Sequence, residues 1–259
     1  MRLDLSSVLL QWSAGGLLGC WITTRHRVLG IGYGWLLRSV FLVLALGGVA
    51  AGLAGSDHST GDVVRTVAGV AMVAFAGTAL CLSVVRRRAG LTGPGSFDPW
   101  VDLLAPSAGL VALLGAAAGL GGPYALSAAR LVAGGLFLGL VTDAMLLGHW
   151  YLVQPGLSRG PIRELVRLAA VAWPLDVATL LVPVGMVSVL NGTINDGYQG
   201  LLGVTWIVSA LTTIVLLGVT WKALQERFYS AVMAATGLLY LAILTAFGTD
   251  TLARALLAR

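Results

Sequence analysis

Runs of about 20 consecutive apolar residues, joined by short stretches rich in Gly, Pro, Asp, Asn and Arg, recur along the whole chain. An α-helix needs roughly 20 such residues to cross a hydrocarbon core of about 30 Å. Inside lipid every backbone N–H and C=O must be satisfied internally, so runs of this kind have to be spanning helices. Hydrophobic residues make up 58% of the sequence and charged ones 10%, against about 25% charged in an ordinary soluble domain. A soluble fold cannot hide that much apolar surface, and no polar stretch is long enough to be a domain. The expected fold is all-α: one integral membrane domain over 1–259, a polytopic transmembrane bundle of about eight helices.

The spans read as Leu5 to Thr23, Gly32 to Ala54, Val63 to Val85, Trp100 to Gly121, Ala125 to Tyr151, Ile162 to Leu190, Gly200 to Trp221 and Phe228 to Phe247. Turns are marked by Gly55-Ser56-Asp57, Gly93-Pro94-Gly95, Gly121-Gly122-Pro123, Gln154-Pro155-Gly156 and Asn191-Gly192-Thr193. The first run has no A-x-A type cleavage site after it and reads as a retained helix. The 35 glycines suit close helix–helix approach in a membrane. Ala14-Gly15-Gly16-Leu17 in the first span echoes Ala133-Gly134-Gly135-Leu136 in the fifth, as a four-plus-four repeat would give.

The charge of +5 reports topology before it reports a partner, and no nucleic-acid partner is indicated. Arg25, Arg27, Arg86, Arg87, Arg88, Arg159, Arg163, Arg167, Lys222 and Arg227 are ten of the sixteen basic residues and fall in alternate loops. That side is expected to be cytoplasmic, with both termini on the other. The Arg, Ala and Gly bias fits a GC-rich bacterial genome, hence a bacterial inner (cytoplasmic) membrane. Trp12, Trp21, Trp35, Trp100, Trp150, Trp173, Trp206 and Trp221 lie mostly near span ends, where indoles meet the headgroups. The Arg86-Arg87-Arg88 run reads as a stop signal or as an anionic-lipid contact. Asn191-Gly192-Thr193 matches a glycosylation sequon, which in a bacterial chain is better read as a tight outer turn.

Charges inside hydrocarbon cost about 2.5 to 3.5 kcal/mol or more, so those retained are candidate functional groups. At 1.5 Å per residue, Asp176 falls near the centre of the sixth span, with Asp143 roughly 5 to 8 Å and Arg38 roughly 8 Å toward the cytoplasm. These three are expected to form a network in one of two ways. Either Arg38 holds one carboxylate ionised while the other handles protons, or a single ion pair forms and the second carboxylate stays near water. Trp173-Pro174 and Pro183 flank Asp176, and such prolines bend a helix around a cavity.

The segment His149-Trp150-Tyr151 lies at the cytoplasmic end of the fifth span. It reads either as an interfacial aromatic belt or as a quinone site, in which the imidazole bonds a quinone carbonyl and the rings stack on the head. Haem normally needs two axial ligands, and His149 is the sole histidine inside a span, Met145 lying one turn away. Cys20, Cys81 and His149 share a depth but no metal-binding spacing, so no metal is expected. The two cysteines read as structural thiols. No Walker loop, GxSxG, HExxH or CxxC occurs.

Three functions remain open on these residues. The first is a subunit of a bacterial respiratory or redox complex that contacts quinone or conducts protons beside other membrane subunits, without a metal cofactor of its own. It is similar to the membrane subunits of respiratory oxidoreductases in architecture alone. The second is a proton-coupled secondary transporter of a small solute, with Asp143 and Asp176 as coupling carboxylates. The third is a membrane-embedded enzyme or assembly factor acting on lipid or cofactor.

Overall fold

A computed structural model describes residues 4–55, 58–90, 97–120, 122–181 and 185–257. Arg2, Ser56, Asp57, the Gly93-Pro94-Gly95 turn, Gly121, Pro183 and Arg259, which figure in the sequence reading, lie outside the described residues. Among the described residues the chain forms helices and no strand. In order these are α1 (Leu5–Thr24), α2 (Ile31–Ala54), α3 (Thr60–Arg88), α4 (Pro99–Gly119), α5 (Tyr124–Val153), α6 (Gly160–Leu181), α7 (Met186–Leu190), α8 (Leu201–Ala223) and α9 (Tyr229–Leu257).

Helix starts follow from capping chemistry. The Asp4 carboxylate accepts from the Ser6 and Ser7 amides, Ser59 Oγ accepts from Asp62, and Asp98 accepts from Trp100 with Pro99 at the first helical position. Each cap satisfies amides that a helix leaves unpaired at its start.

Seven of these helices are long and apolar enough to cross a membrane. The charged α6 makes the eighth crossing. Near its start Arg163 Nε donates to the Leu224 carbonyl at the end of α8, 3.1 Å away. Near its other end the Thr179 carbonyl accepts from Arg130 Nε, on the second turn of α5, at 2.8 Å. Because α5 and α8 both cross, a helix touching the end of one and the start of the other crosses too. The chain is a multi-pass membrane bundle with its arginine-rich loops at one end, here the basic end.

The centre is the parallel pair α1 and α5. Gly15-x-x-x-Gly19 on α1 faces Gly135-x-x-x-Gly139 on α5. A Cβ on Gly15 would lie 1.7 Å from the Gly135 carbonyl oxygen, and one on Gly139 would lie 2.1 Å from the Gly15 carbonyl carbon. Backbone therefore touches backbone, the close approach that small residues allow in membranes.

Around this pair the packing of the first half recurs in the second. Helix α1 packs on α2 and α4, and α3 on α4; likewise α5 packs on α6 and α9, and α8 on α9. The four-plus-four expectation matches this arrangement, and the two echoing tetrapeptides meet at its centre. The halves differ in one crevice. Between α1, α5 and α9 the Trp12 ring fills the space, 5.3 Å from Phe247, its N–H donating to Thr142 Oγ1 at 2.7 Å. Between α1, α4 and α5 an apolar cleft stays open, lined by Gly15, Pro106, Val132 and Gly135 among others.

Two spans differ from the sequence reading. The sixth, expected to run to Leu190, ends at Leu181, and Met186–Leu190 forms the separate α7. Pro174 lies inside α6 without ending it. The last, expected to stop at Phe247, continues to Leu257, because Asp250 and Arg254, four residues apart on one face, neutralise each other inside the helix.

The loop from α7 to α8 is organised by one side chain. The Asp196 carboxylate accepts from the amides of Gly200, Tyr198 and Leu202, each at 2.9 Å, so it caps α8 from outside the helix. These amides, Gly200 foremost, hold its pKa below the ordinary 3.8. A depressed carboxylate contributes stability that is complete above the unfolded-state value and is lost as pH falls through the lower folded one. Protection factors for hydrogen exchange at Tyr198, Gly200 and Leu202 are therefore expected to stay high from neutral pH down to the ordinary carboxylate range and to fall only below it. In Asp196→Ala, which has no acceptor, they are expected to be low at every pH.

The glycine pair gives a second expectation. Gly139→Ala should destabilise the protein by about 3 kcal/mol, the upper end for overpacking, since backbone must move. Gly77→Ala, where nothing lies within 4 Å of the added methyl, should leave the thermal midpoint in detergent unchanged. Equal midpoints for both variants would contradict the packing described.

Candidate functional site

Two buried polar clusters lie on either side of the α1–α5 crossing. In the basic half, Arg38 of α2 forms a two-pronged pair with Asp102 of α4: Nε to Oδ1 at 3.0 Å and Nη2 to Oδ2 at 2.5 Å. Its Nη1 donates to the Gly34 carbonyl at 2.9 Å, Nη2 also reaches Thr24 Oγ1 at 3.3 Å, and the guanidinium lies 3.6 Å from the centre of the Phe97 ring. Such a fork, with its remaining donors satisfied, is the arrangement in which a buried arginine is tolerated.

This corrects the sequence expectation, in which Arg38 paired with Asp143 or Asp176. Asp102 stands two residues past Trp100 and reads as interfacial by position. Packing of α2 and α4 against the same face of α1 brings it to Arg38 instead.

Asp143 of α5 is wholly buried, and neither carboxyl oxygen has a hydrogen-bond partner among the described residues. It is seated against Gly19 of α1, where a Cβ would lie 1.9 Å from Asp143 Oδ2. The missing side chain of Gly19 is thus the space the carboxyl occupies. Arg38, though its hydrogen bonds go to Asp102, and the buried Cys20 and Tyr33 are close enough to interact with it electrostatically.

The other half holds a cluster that includes Asp176 without Arg38 or Asp143. Arg254 Nε donates to Asp250 Oδ2 at 2.7 Å, and its Nη2 donates to Gln11 Oε1 across to α1. Asp176 Oδ1 and Asp250 Oδ1 both approach Gly134 of α5, as does Gln11 Nε2. Asp176 was expected near the bilayer centre. It converges with Gln11 on Gly134, both in the first halves of their helices α1 and α5, and therefore lies in the half opposite the basic end. Asp250, Arg254 and Gln11 were missed as members. The signals available were the four-residue spacing of Asp250 and Arg254 and a lone Gln in an apolar run.

His149, Trp150 and Tyr151 are not brought onto one surface, since successive helical residues point about 100° apart. His149 is exposed, its Nδ1 3.5 Å from Tyr240 OH. Trp150 packs over Gly32 and Tyr33 and donates to Gln154 Oε1 at 3.1 Å. Tyr151 is buried and donates to the Ser158 carbonyl, while its own carbonyl accepts from Tyr229 OH at 3.1 Å. Three side chains thus brace three different neighbours. Cys20 is buried and Cys81 exposed, both free thiols. Among the described residues no three metal-ligating side chains come together.

Fold and site together define a polytopic α-helical membrane protein with ionisable groups buried among its helices. No protein-family profile matches the sequence, and no curated protein or solved structure matches it significantly.

The Arg38 fork predicts a sharp asymmetry between the two buried carboxylates of this half, Asp102 and Asp143. Asp102→Asn leaves a guanidinium buried opposite a neutral group and is expected to cost about 3 to 5 kcal/mol. Asp143→Asn, which disturbs no hydrogen bond, should cost under about 1 kcal/mol. Unfolding of the purified variants in detergent and denaturant measures both, and a destabilised Asp143→Asn beside a wild-type-like Asp102→Asn would reverse the assignment.

Proposed function

We propose that the protein is a proton-coupled secondary transporter of a small solute, in which Asp143 and Asp176 are the coupling carboxylates. The observation that supports this reading is their placement: both are buried, both Asp143 oxygens and Asp176 Oδ1 have no hydrogen-bond partner among the described residues, and the two lie on opposite sides of the α1–α5 crossing. A buried carboxylate outside hydrogen-bonding reach of a cation costs several kcal/mol, a cost that binding a proton removes. Groups of this kind alternate between charged and neutral forms as their access to water changes. That alternation is what coupling requires.

Gln11, beside the Asp176 cluster, and Gly19, beside Asp143, are eight residues apart on α1, about 12 Å at helical rise. No proton hop covers that distance in one step, so each carboxylate serves one side. The two similar halves flank a glycine-packed crossing on which rocking would expose the sites in turn, as in transporters built from repeats. The basic loops face the cytoplasm in this reading, in a bacterial inner membrane, with both termini outside.

The same carboxylates would serve a proton-conducting subunit of a redox complex, which the short loops also suit, as faces covered by partner subunits. Purification in mild detergent with cytochromes or flavoproteins attached favours that alternative.

The test of transport uses everted vesicles carrying a respiration-driven pH gradient, challenged with amino acids, sugars, organic cations and organic anions in turn. The expected result is that one class dissipates the gradient with the wild-type protein and fails to do so with Asp143→Asn or Asp176→Asn. No dissipation by any class, or identical dissipation by the Asn variants, overturns the reading.

A further inference from the structure

The cluster around Gly134 contains an incomplete set of hydrogen bonds. A point one Cβ distance from Gly134 lies 3.2 Å from Asp250 Oδ1, 3.3 Å from Asp176 Oδ1 and 3.4 Å from Gln11 Nε2. Of these atoms, Asp176 Oδ1 and Gln11 Nε2 are fully buried and without a partner among the described residues, as is Arg254 Nη1. Gln11, Asp176, Asp250 and Arg254 are each at least 97% buried. Four side chains from α1, α6 and α9 thus leave two donors and at least one acceptor unfulfilled around one glycine of α5.

From this geometry we propose that a single water molecule is bound over Gly134 and relays the Asp176 proton, which makes this site selective for H⁺ over Na⁺. The inference rests on the proton-coupled reading above and names its coupling ion. The donor pattern decides the ligand. Gln11 Oε1 is held by Arg254 Nη2, so the amide must turn its N–H₂ toward Gly134. An N–H and a guanidinium beside the site repel a metal cation, for which hard-ion sites supply oxygens throughout. Water fits the set: it accepts from Gln11 Nε2 and from the protonated Asp176 carboxyl and donates to Asp250 Oδ1, roughly the three bonds a buried water makes.

The charged groups facing Asp176 are Asp250 and Arg254 on α9, with Arg130 on α5 bound to the Thr179 carbonyl one turn away. Among the described residues α7 carries no charged residue, and the sole one on α8, Lys222, lies at its basic end. Arg254 neutralises one of the two carboxylates, so the other requires one positive charge. The relay is balanced: the water takes the Asp176 proton as it gives one of its own to Asp250 Oδ1, and the reverse transfer restores both.

The test is infrared difference spectroscopy on the full-length protein in lipid nanodiscs, titrated with pH in ordinary and ¹⁸O-labelled water. The expected result is a water O–H stretch that shifts with ¹⁸O in the wild type and is lost in Asp176→Asn. It should also be lost in Gly134→Ala, whose methyl would stand 3.2 to 3.4 Å from the same three polar atoms and close the space between them. The carboxylic-acid band that vanishes in Asp176→Asn should titrate identically in NaCl and in choline chloride. Absence of the ¹⁸O-sensitive stretch from the wild type, its persistence in Gly134→Ala, or displacement of the carboxylic-acid band by Na⁺ at fixed pH each overturns the proposal. The wild-type ¹⁸O and Na⁺ measurements decide the matter should Gly134→Ala fail to fold. The spectroscopic signature without solute-driven proton movement would leave the water site standing and remove the transport reading. Proton movement without the signature would do the opposite.

Discussion

The structure depends on the contact of two backbones, α1 and α5, at Gly15 and Gly135. Lipid tails offer helices no hydrophobic reason to associate, so the attraction has to come from close van der Waals contact and from polar groups that find partners. At this crossing both are present. The glycines bring main chains together, and polar side chains bond across the pair above and below: Trp12 to Thr142, and Gln11 to Arg254 on the helix beside α5. The other helices are arranged on this axis in two similar sets.

The same absence of side chains creates the sites. Asp143 occupies the place where Gly19 has no Cβ, and the Asp176 cluster converges over Gly134. Small residues in this bundle therefore do two things at once: they close the helices and they leave pockets for carboxyl groups. A larger residue at Gly19 would expel Asp143 before it weakened the crossing.

Electrostatics separates paired charges from unpaired ones. Arg38 is matched by Asp102, Arg254 by Asp250, and Arg65 by Asp62 with Asp4 beside it. In each the guanidinium lies against a carboxylate, the condition under which a buried cation is stable. Asp143 and Asp176 remain outside these pairs. Neither makes a hydrogen-bonded ion pair among the described residues, which is the feature on which the proposed proton-coupled function rests.

Apolar run length and the periodic punctuation of Gly, Pro and Asp made the helical membrane fold legible from the sequence, because the bilayer thickness fixes how long a span must be. Depth along a helix was legible in part: it put Asp143 in the interior, and it put Asp176 nearer the bilayer centre than the Gly134 cluster that holds it. Which groups meet was not. Arg38 and Asp102 are 64 residues apart, Gln11 and Arg254 are 243 apart, and depth alone gives each several equivalent partners. The reach of α9 past Phe247 was hidden because two opposite charges look like a helix end until they neutralise each other on one face. His149, Trp150 and Tyr151, adjacent in the chain, diverge because a helix turns each residue away from the last. The sequence by itself determined that the chain is a bundle of membrane-crossing helices with a few ionisable residues inside its spans, since run length follows from the thickness of the bilayer. The tertiary structure decided which of those charges are paired and at what depth they meet, since that depends on which helix faces which.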